Sequence, residues 1–271
     1  MNKVEVLVAT INQSDFSLAD KMNLQTDAVI ANQAGKLEYA ELERNDRTIK
    51  MVTTNTKGAG INRNIALMYS SSDFLMLADD DVVYIDGYEK VIQSAFEELP
   101  LADVIVFRIN ATKDGEVIED CPPVQKRLHI YNALKYGTYR IAIRRSSLLR
   151  TNLHFYDVFG PGCEYNMNED SLFIAECLKK RLKIYAHKGY IGDTSKDSST
   201  WFVGYDERFW YNKGAFIAAG FRSLRCPLII YFLCRFKKLG DVKPSRRLKL
   251  ILAGIQGYRL LQSYDEYVAE K

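Results

Sequence analysis

The chain has 271 residues, 47% of them apolar and 26% charged, with a formal net charge of +3. That is enough for one sizeable core and is ordinary for a globular protein. Five cysteines with no CxxC or Cys/His pattern read as reduced, mostly buried thiols. No apolar run approaches the roughly 20 residues of a membrane span, and MNKVEVLVATINQ turns polar too early for a signal peptide, so a cytoplasmic protein is expected.

In chain order, Val4 to Ala9, Ala28 to Ala31 and Ile49 to Thr53 read as short buried strands. Asn62 to Tyr69 is helical in pattern, and Asp73 to Ala78 is another buried strand. Apolar residues at Val91, Ile92, Ala95, Phe96 and Leu99 mark one face of a helix over Tyr88 to Leu99. A strand follows at Asp103 to Ile109, then a polar loop or edge over Asn110 to Arg127 containing Cys121-Pro122-Pro123. Tyr139 to Ile143 alternates as a strand, Glu169 to Lys180 is a helix, and Leu182 to Ala186 is the strand after it. Lys188 to Thr200 is rich in Gly, Ser and Asp and reads as a flexible loop; everything beyond Trp201 looks helical. Alternating strands and helices imply an α/β domain with a mostly parallel sheet.

Charge is unevenly placed. Between Phe221 and Arg259 ten Lys or Arg face one acid, Asp241, which leaves the rest of the chain acidic. Apolar and basic residues there share helical spacing, as in helices that lie on an anionic membrane. The apolar content is too high for a simple nucleic-acid-binding face. A helical pair packed on the domain with a solvated basic side is the plainer reading.

Three acids, Asp79, Asp80 and Asp81, end the apolar strand LMLA. Ligands of open α/β sheets bind beyond the carboxyl ends of strands, and adjacent carboxylates repel unless a cation neutralises them. Asp79 and Asp81, two apart, suit a shared divalent metal; the alternative is a solvated acidic turn. Two enzyme classes place D-x-D at such a point. One is a metal-dependent glycosyltransferase. The other is a phosphohydrolase of the haloacid-dehalogenase type with Asp79 as nucleophile, Asp81 as acid/base and Gly192, Asp193 and Asp197 as a distal metal motif, although three strands before Asp79 are too many for it. Lys57 to Leu67 (KGAGINRNIAL) matches neither a dinucleotide fingerprint nor a P-loop; it offers a helix start with Gly58 and Arg63 that suits an anion, or simply a helix with a flexible beginning. Asn168, Glu169 and Asp170 read as a cap and dipole partners of their helix, or as the seat of a general base.

Together VLVATINQ, GAGINRNIAL, LADDDVVYIDGYE, NEDSLFIAECLKKRLKIY and STWFVGY resemble glycosyltransferase family 2, closest to bacterial members from capsule and surface-polysaccharide clusters. The resemblance spans roughly residues 1 to 215. It implies a GT-A-type nucleotide-sugar-binding domain with a mixed, mostly parallel sheet over residues 1–210 and a basic amphipathic helical extension over 211–271. It also implies an inverting enzyme that moves a sugar from a nucleoside-diphosphate donor, UDP-linked by default, to a hydroxyl of a lipid-linked glycan on the inner face of the plasma membrane. By that resemblance Asp79 and Asp81 hold Mn²⁺ or Mg²⁺, with His187 as a candidate third ligand or, the preferred alternative, a partly buried structural histidine at a strand end. Thr10, Asn12, Asn32, Gln33, Gly58, Arg63, Asp79 and Asp80 line the donor site. Asp170 of the Glu169–Asp170 pair is the base, and Trp201 borders the acceptor. Asn32 and Gln33 stand where an Asp is common, and Asn168 where a Gly is common. A membrane-surface protein that kept the fold without turnover is the non-enzymatic alternative.

Overall fold

The computed structural model describes residues 2–114, 116–121, 124–195 and 204–270. In chain order these form β1 (Val4–Ile11), α1 (Ser17–Lys21), β2 (Asp27–Gln33), β3 (Glu38–Arg44), β4 (Arg47–Thr54), α2 (Ala59–Tyr69), β5 (Phe74–Asp79), β6 (Val82–Tyr84) and α3 (Tyr88–Glu98). Next come β7 (Val104–Lys113), β8 (Glu116–Cys121), β9 (Lys126–Leu128), α4 (Ile130–Ala133), β10 (Ile141–Arg144), α5 (Arg145–Thr151), α6 (Glu169–Lys179) and β11 (Ile184–Ser195). The chain then runs as helices: α7 (Glu207–Gly220), α8 (Arg225–Arg235), α9 (Pro244–Leu260) and α10 (Tyr264–Ala269).

The strands make one mixed sheet in the order β3-β4-β2-β1-β5-β10-β7-β11-β6, with β8 and β9 added on β7 and β11. Strands β4, β2, β1 and β5 run parallel. The inner three, β2, β1 and β5, are mostly buried and apolar because both faces are covered. Alternation along β1 separates the two faces. Val4, Val6 and Val8 pack with α1 and α3, while Leu7 packs with α2, α5 and α6 on the other side.

A third cluster joins the C-terminal helices to this body. Trp210, Tyr211, Phe216 and Ile217 of α7 and Leu250 and Ile251 of α9 pack with Phe159, Tyr165 and Leu172. The expected division at residue 210 therefore falls inside α7, whose apolar side is core. Part of the basic segment is also internal. Arg247 is 4% exposed, donates to the carbonyls of Phe236, Val242, Leu239 and Gly240, and lies over the Trp210 ring. Arg246 pairs with Glu207, and Arg208 with Asp265.

The Asn110–Arg127 segment, expected as a loop or edge, carries the end of β7 and all of β8, which among the described strands pairs with β7 alone and so lies at an edge. Two expectations need correction. Lys188 to Ser195 belongs to β11, because pairing with β7 and β6 satisfies its backbone despite a loop-like composition. Cys177 is buried, but Cys163 is only partly so, and Cys226 and Cys234 are exposed. Among the described residues no helix is long and apolar enough to cross a membrane.

Helices α7 and α9 cross where glycines meet backbone. A Cβ on Gly214 would strike the Ile251 carbonyl, and one on Gly254 the Tyr211 carbonyl. Alanine gains about 1 kcal/mol of helix propensity, but overpacking against rigid backbone costs about 1–3 kcal/mol. Gly254→Ala is therefore expected to lower the melting temperature, and Gly214→Ala likewise, in a thermal-denaturation scan.

Candidate active site

The carboxyl ends of β1, β2 and β5 open on a cleft of about 620 Å³ whose opposite wall is the start of α6 and part of α7. Thr10, Gln33, Arg63, Asp79, Asp80, Asp81, Glu169 and Asp170 all line it. Their positions follow from local structure. Register places Asp79 beside Ala9 at the end of β5, and Asp80 and Asp81 form the turn into β6. Asn62 of α2 is buried and donates to the carbonyls of Thr10 and Ala31, which ties that helix to the ends of β1 and β2.

Arg63, one residue on, is 7% exposed and bridges the two walls. One terminal nitrogen donates to Asp79 Oδ1 at 2.7 Å; the other reaches Glu169 Oε1 at 3.2 Å and lies 3.6 Å from Asp170 Oδ1. Burial opposes its charge, but Asp79, Asp170 and Glu169 more than compensate and hold the guanidinium firmly protonated. Arg63, expected at the donor site, lines the cleft, and each of its terminal nitrogens has a hydrogen bond to a protein carboxylate.

On the opposite wall Asn168 takes a left-handed conformation, φ 70°, just before α6. Asn is among the few residues that adopt it readily, which accounts for Asn where Gly is common. Glu169 packs on Gly160, where a Cβ would come within 3.0 Å of its carboxyl carbon. Burial first, then the neighbouring Asp170, pushes Glu169 up to about 7, against the pull of Arg63. Asp170 is also raised, mainly by burial, although Arg63 and the Thr138 hydroxyl, which donates to Oδ1 at 2.7 Å, oppose this. Two adjacent acids sharing one guanidinium titrate as a pair.

The remaining expected residues divide. Thr10 donates to Asp80 Oδ2 at 2.6 Å and accepts from Gln13 at 3.0 Å; Gln13 gave no sequence signal. Gln33 lines the cleft and donates to the Gly58 carbonyl. Asn32 does not face it: the side chain is 0% exposed, bonded to the Gln13 backbone and Thr53. Asn12 is an exposed left-handed turn residue, φ 54°, outside the cleft lining. Gly58 lies against Cys163, and the first N–H of α2 is taken by the Pro161 carbonyl, so the loop over 156–163 covers the helix start expected to meet an anion.

His187 is buried against Phe107 and Glu98. It precedes Thr194, which pairs with Val82 beside Asp81, by enough strand to leave it roughly 20 Å away. The structure does not bring it to the acids. Among the described residues no three His, Cys, Asp or Glu side chains form a metal cage. Asp79 and Asp81 are hard oxygen donors at a cleft, which suits Mg²⁺ or Mn²⁺ carried by one or two carboxylates and completed by water and phosphate oxygens. Trp201 and Asp197 lie outside the described residues. Asp193, of the phosphohydrolase reading, accepts from the Tyr190 hydroxyl and is not a cleft residue.

A mixed sheet with a D-x-D turn at a central strand end, facing an acidic helix start across a cleft, is the GT-A architecture of glycosyltransferases. Residues 33–153, a little under half of the chain, match the model for glycosyl transferase family 2. No curated protein matches the sequence. Among solved structures, S. aureus TarS 1-349 in complex with UDP-GlcNAc superposes with a TM-score of 0.58 at 14% identity, covering 98% of this chain and 77% of that one. The same fragment with UDP gives 0.57, and a longer S. aureus TarS chain gives 0.55 with 44% of it covered. At that identity the likeness concerns the fold.

Because Glu169 is raised, the folded state holds a proton that the unfolded chain releases near the ordinary carboxylate range. That contribution is fully present below the unfolded value and is lost as pH rises through about 7. Glu169→Gln is therefore expected to flatten the fall in melting temperature between pH 5.5 and 8, followed by thermal scans at low ionic strength.

Proposed function

We propose that this cleft transfers a sugar, with inversion, from a nucleoside-diphosphate sugar to a hydroxyl of a glycan acceptor in surface-polysaccharide synthesis. The observation that carries the reading is the Arg63 bridge, which sets the strand-end acids and the Glu169–Asp170 pair on facing walls of one cleft. Donor and base are thereby held in fixed relation, which is what a direct displacement needs. A UDP-sugar is the donor of choice because a protein of this fold binds UDP-GlcNAc. Thr10, Gln33 and Asp80 are the donor-side residues that line the cleft.

Asp170 is the base. Its side chain keeps 29% exposure against 10% for Glu169, and burial raises its proton affinity toward that of a working base. Glu169 is the more enclosed partner that holds Arg63. Asp79 and Asp81 would carry the divalent ion, whose chemistry is to neutralise charge on the departing diphosphate. The cleft also needs such a charge, since five carboxylates line it and would otherwise repel a diphosphate.

The acceptor reading extends to the membrane. On α8, Ile230 and Tyr231 are exposed at 63% and 53%; on α9, Leu248, Leu252 and Leu260 are exposed beside Lys249 and Arg259. Exposed apolar residues among cations suit an anionic lipid surface and a lipid-linked acceptor.

Two measurements test this. In thermal scans, UDP with Mn²⁺ is expected to raise the melting temperature of the wild type by mass action, and not that of Asp81→Ala; no response to any nucleoside diphosphate, with phosphate released from phosphomonoesters, sinks the reading. In sedimentation with anionic vesicles, replacing Ile230, Tyr231 and Leu252 by Ser is expected to weaken binding by at least about tenfold, since each exposed apolar side chain contributes about 1–2 kcal/mol when buried in lipid; equal binding by both proteins removes the membrane part.

A further inference from the structure

Helix α7 reaches the cleft through one charged residue that the transfer reading leaves unused. Lys213 lines the cleft and donates from Nζ to Asn168 Oδ1 at 2.7 Å. Its ammonium lies over the rings of Phe209, Phe216 and Phe232, 5.0, 5.7 and 5.3 Å from their centroids. Among the described residues no carboxylate pairs with it, and burial pushes it down to about 8. A lysine held this way lies in a socket of aromatic faces, and among the described residues its hydrogen bond goes to Asn168.

Asn168 is an awkward residue to hold. It is left-handed without being glycine, and its Nδ2 is buried with no hydrogen-bond partner. An ammonium can only donate, so the contact with Lys213 fixes which end of the carboxamide faces α7. The residue before Lys213 makes a parallel contact: Asn212 Nδ2 donates to Asn166 Oδ1 at 2.7 Å. Two neighbours on α7 thus grip the two polar residues that flank buried Met167, immediately ahead of Glu169 and Asp170. Strained backbone persists only where its surroundings over-determine it.

We propose that Lys213 is a positioning residue that, through Asn168, holds the corner presenting Glu169 and Asp170 to the cleft. The C-terminal helices are then part of the catalytic scaffold as well as a surface for docking. This rests on the reading of Asp170 as the base. A structural lysine of the core would act on stability alone; a positioning one acts on turnover through the conformation of Asn168.

A cycle of Lys213→Met, Asn168→Gly and their combination separates the two. The probe is UDP-GlcNAc turnover, with UDP and Mn²⁺ affinity by calorimetry and melting temperature on the same samples. Lys213→Met is expected to lower kcat about tenfold while changing UDP affinity less than about twofold. In the Asn168→Gly background the same change is expected to cost less than about threefold, because glycine adopts the left-handed conformation without help. Equal factors in the two backgrounds, or UDP affinity falling together with kcat, overturn the proposal. If the wild type neither binds UDP nor turns over the donor, the reading of the cleft fails separately. Hydrogen exchange through residues 164–172 then decides the role of Lys213: faster exchange in Lys213→Met and not in Lys213→Arg supports it, and unchanged exchange in Lys213→Met overturns it.

Discussion

One guanidinium joins the two halves of this cleft. Arg63 rises from α2, buried, and meets Asp79 from the sheet on one side and Glu169 and Asp170 from α6 on the other. Without it those acids would face one another across a partly dehydrated space, where like charges raise each other's proton affinity and push their supports apart. With it they are drawn together. Several other features serve to place this residue: the Asn62 bonds that fasten α2 to β1 and β2, the Phe155 ring beneath the guanidinium, and Gly160, which lets Glu169 approach its loop.

The C-terminal helices follow from the same need. A start of α6 that carries two acids cannot be held by the sheet alone, because the loop over 152–168 intervenes. Helix α7 supplies the missing wall: Phe209, Trp210 and Phe216 join Phe159, Tyr165 and Met167 in one core, and α9 closes on α7 through Gly214 and Gly254. Arg247 then ties the chain between α8 and α9 to this core through four backbone carbonyls. A segment that reads as a cationic appendage is therefore packed on this core along one side, with a basic, exposed outer side.

What was legible in the sequence is what local pattern encodes. Strands β1, β2 and β5 each hold a mostly apolar run and β4 a shorter one around Met51 and Val52, α3 has a clean apolar face, and the acids at Asp79–Asp81 and Glu169–Asp170 stand at element ends where chemistry collects. Strand β3 escaped because EYAELER is polar and edge-like, and the later half of β11 because Gly192, Asp193 and Ser195 owe their extended form to pairing with β7 and β6. His187 entered as a ligand candidate only through the resemblance, beside its reading as a partly buried structural histidine at a strand end, and its buried place against Phe107 and Glu98 fits the latter. Lys213, Gln13 and Thr138 were invisible, since each matters only through a partner, two of them distant in sequence, that folding supplies.

The commitments of Arg63 also constrain how an anionic donor can enter. Five carboxylates line the cleft, and the guanidinium at its centre already has its terminal nitrogens on three of them. Taking Arg63 away from these to meet a diphosphate would leave the enclosed Glu169 without its partner, a cost that opposes the new contact. Lys213, the other enclosed cation, is turned to Asn168 and to aromatic faces. Lys135, exposed on the cleft lining, is the cation left free of these carboxylate and aromatic-socket contacts, and on the proposed reading a metal ion carried in with the ligand would add to it. In this cleft Asp79 belongs to both arrangements: it ends its strand beside Asp80 and Asp81, and it takes one arm of the buried arginine that holds the walls together.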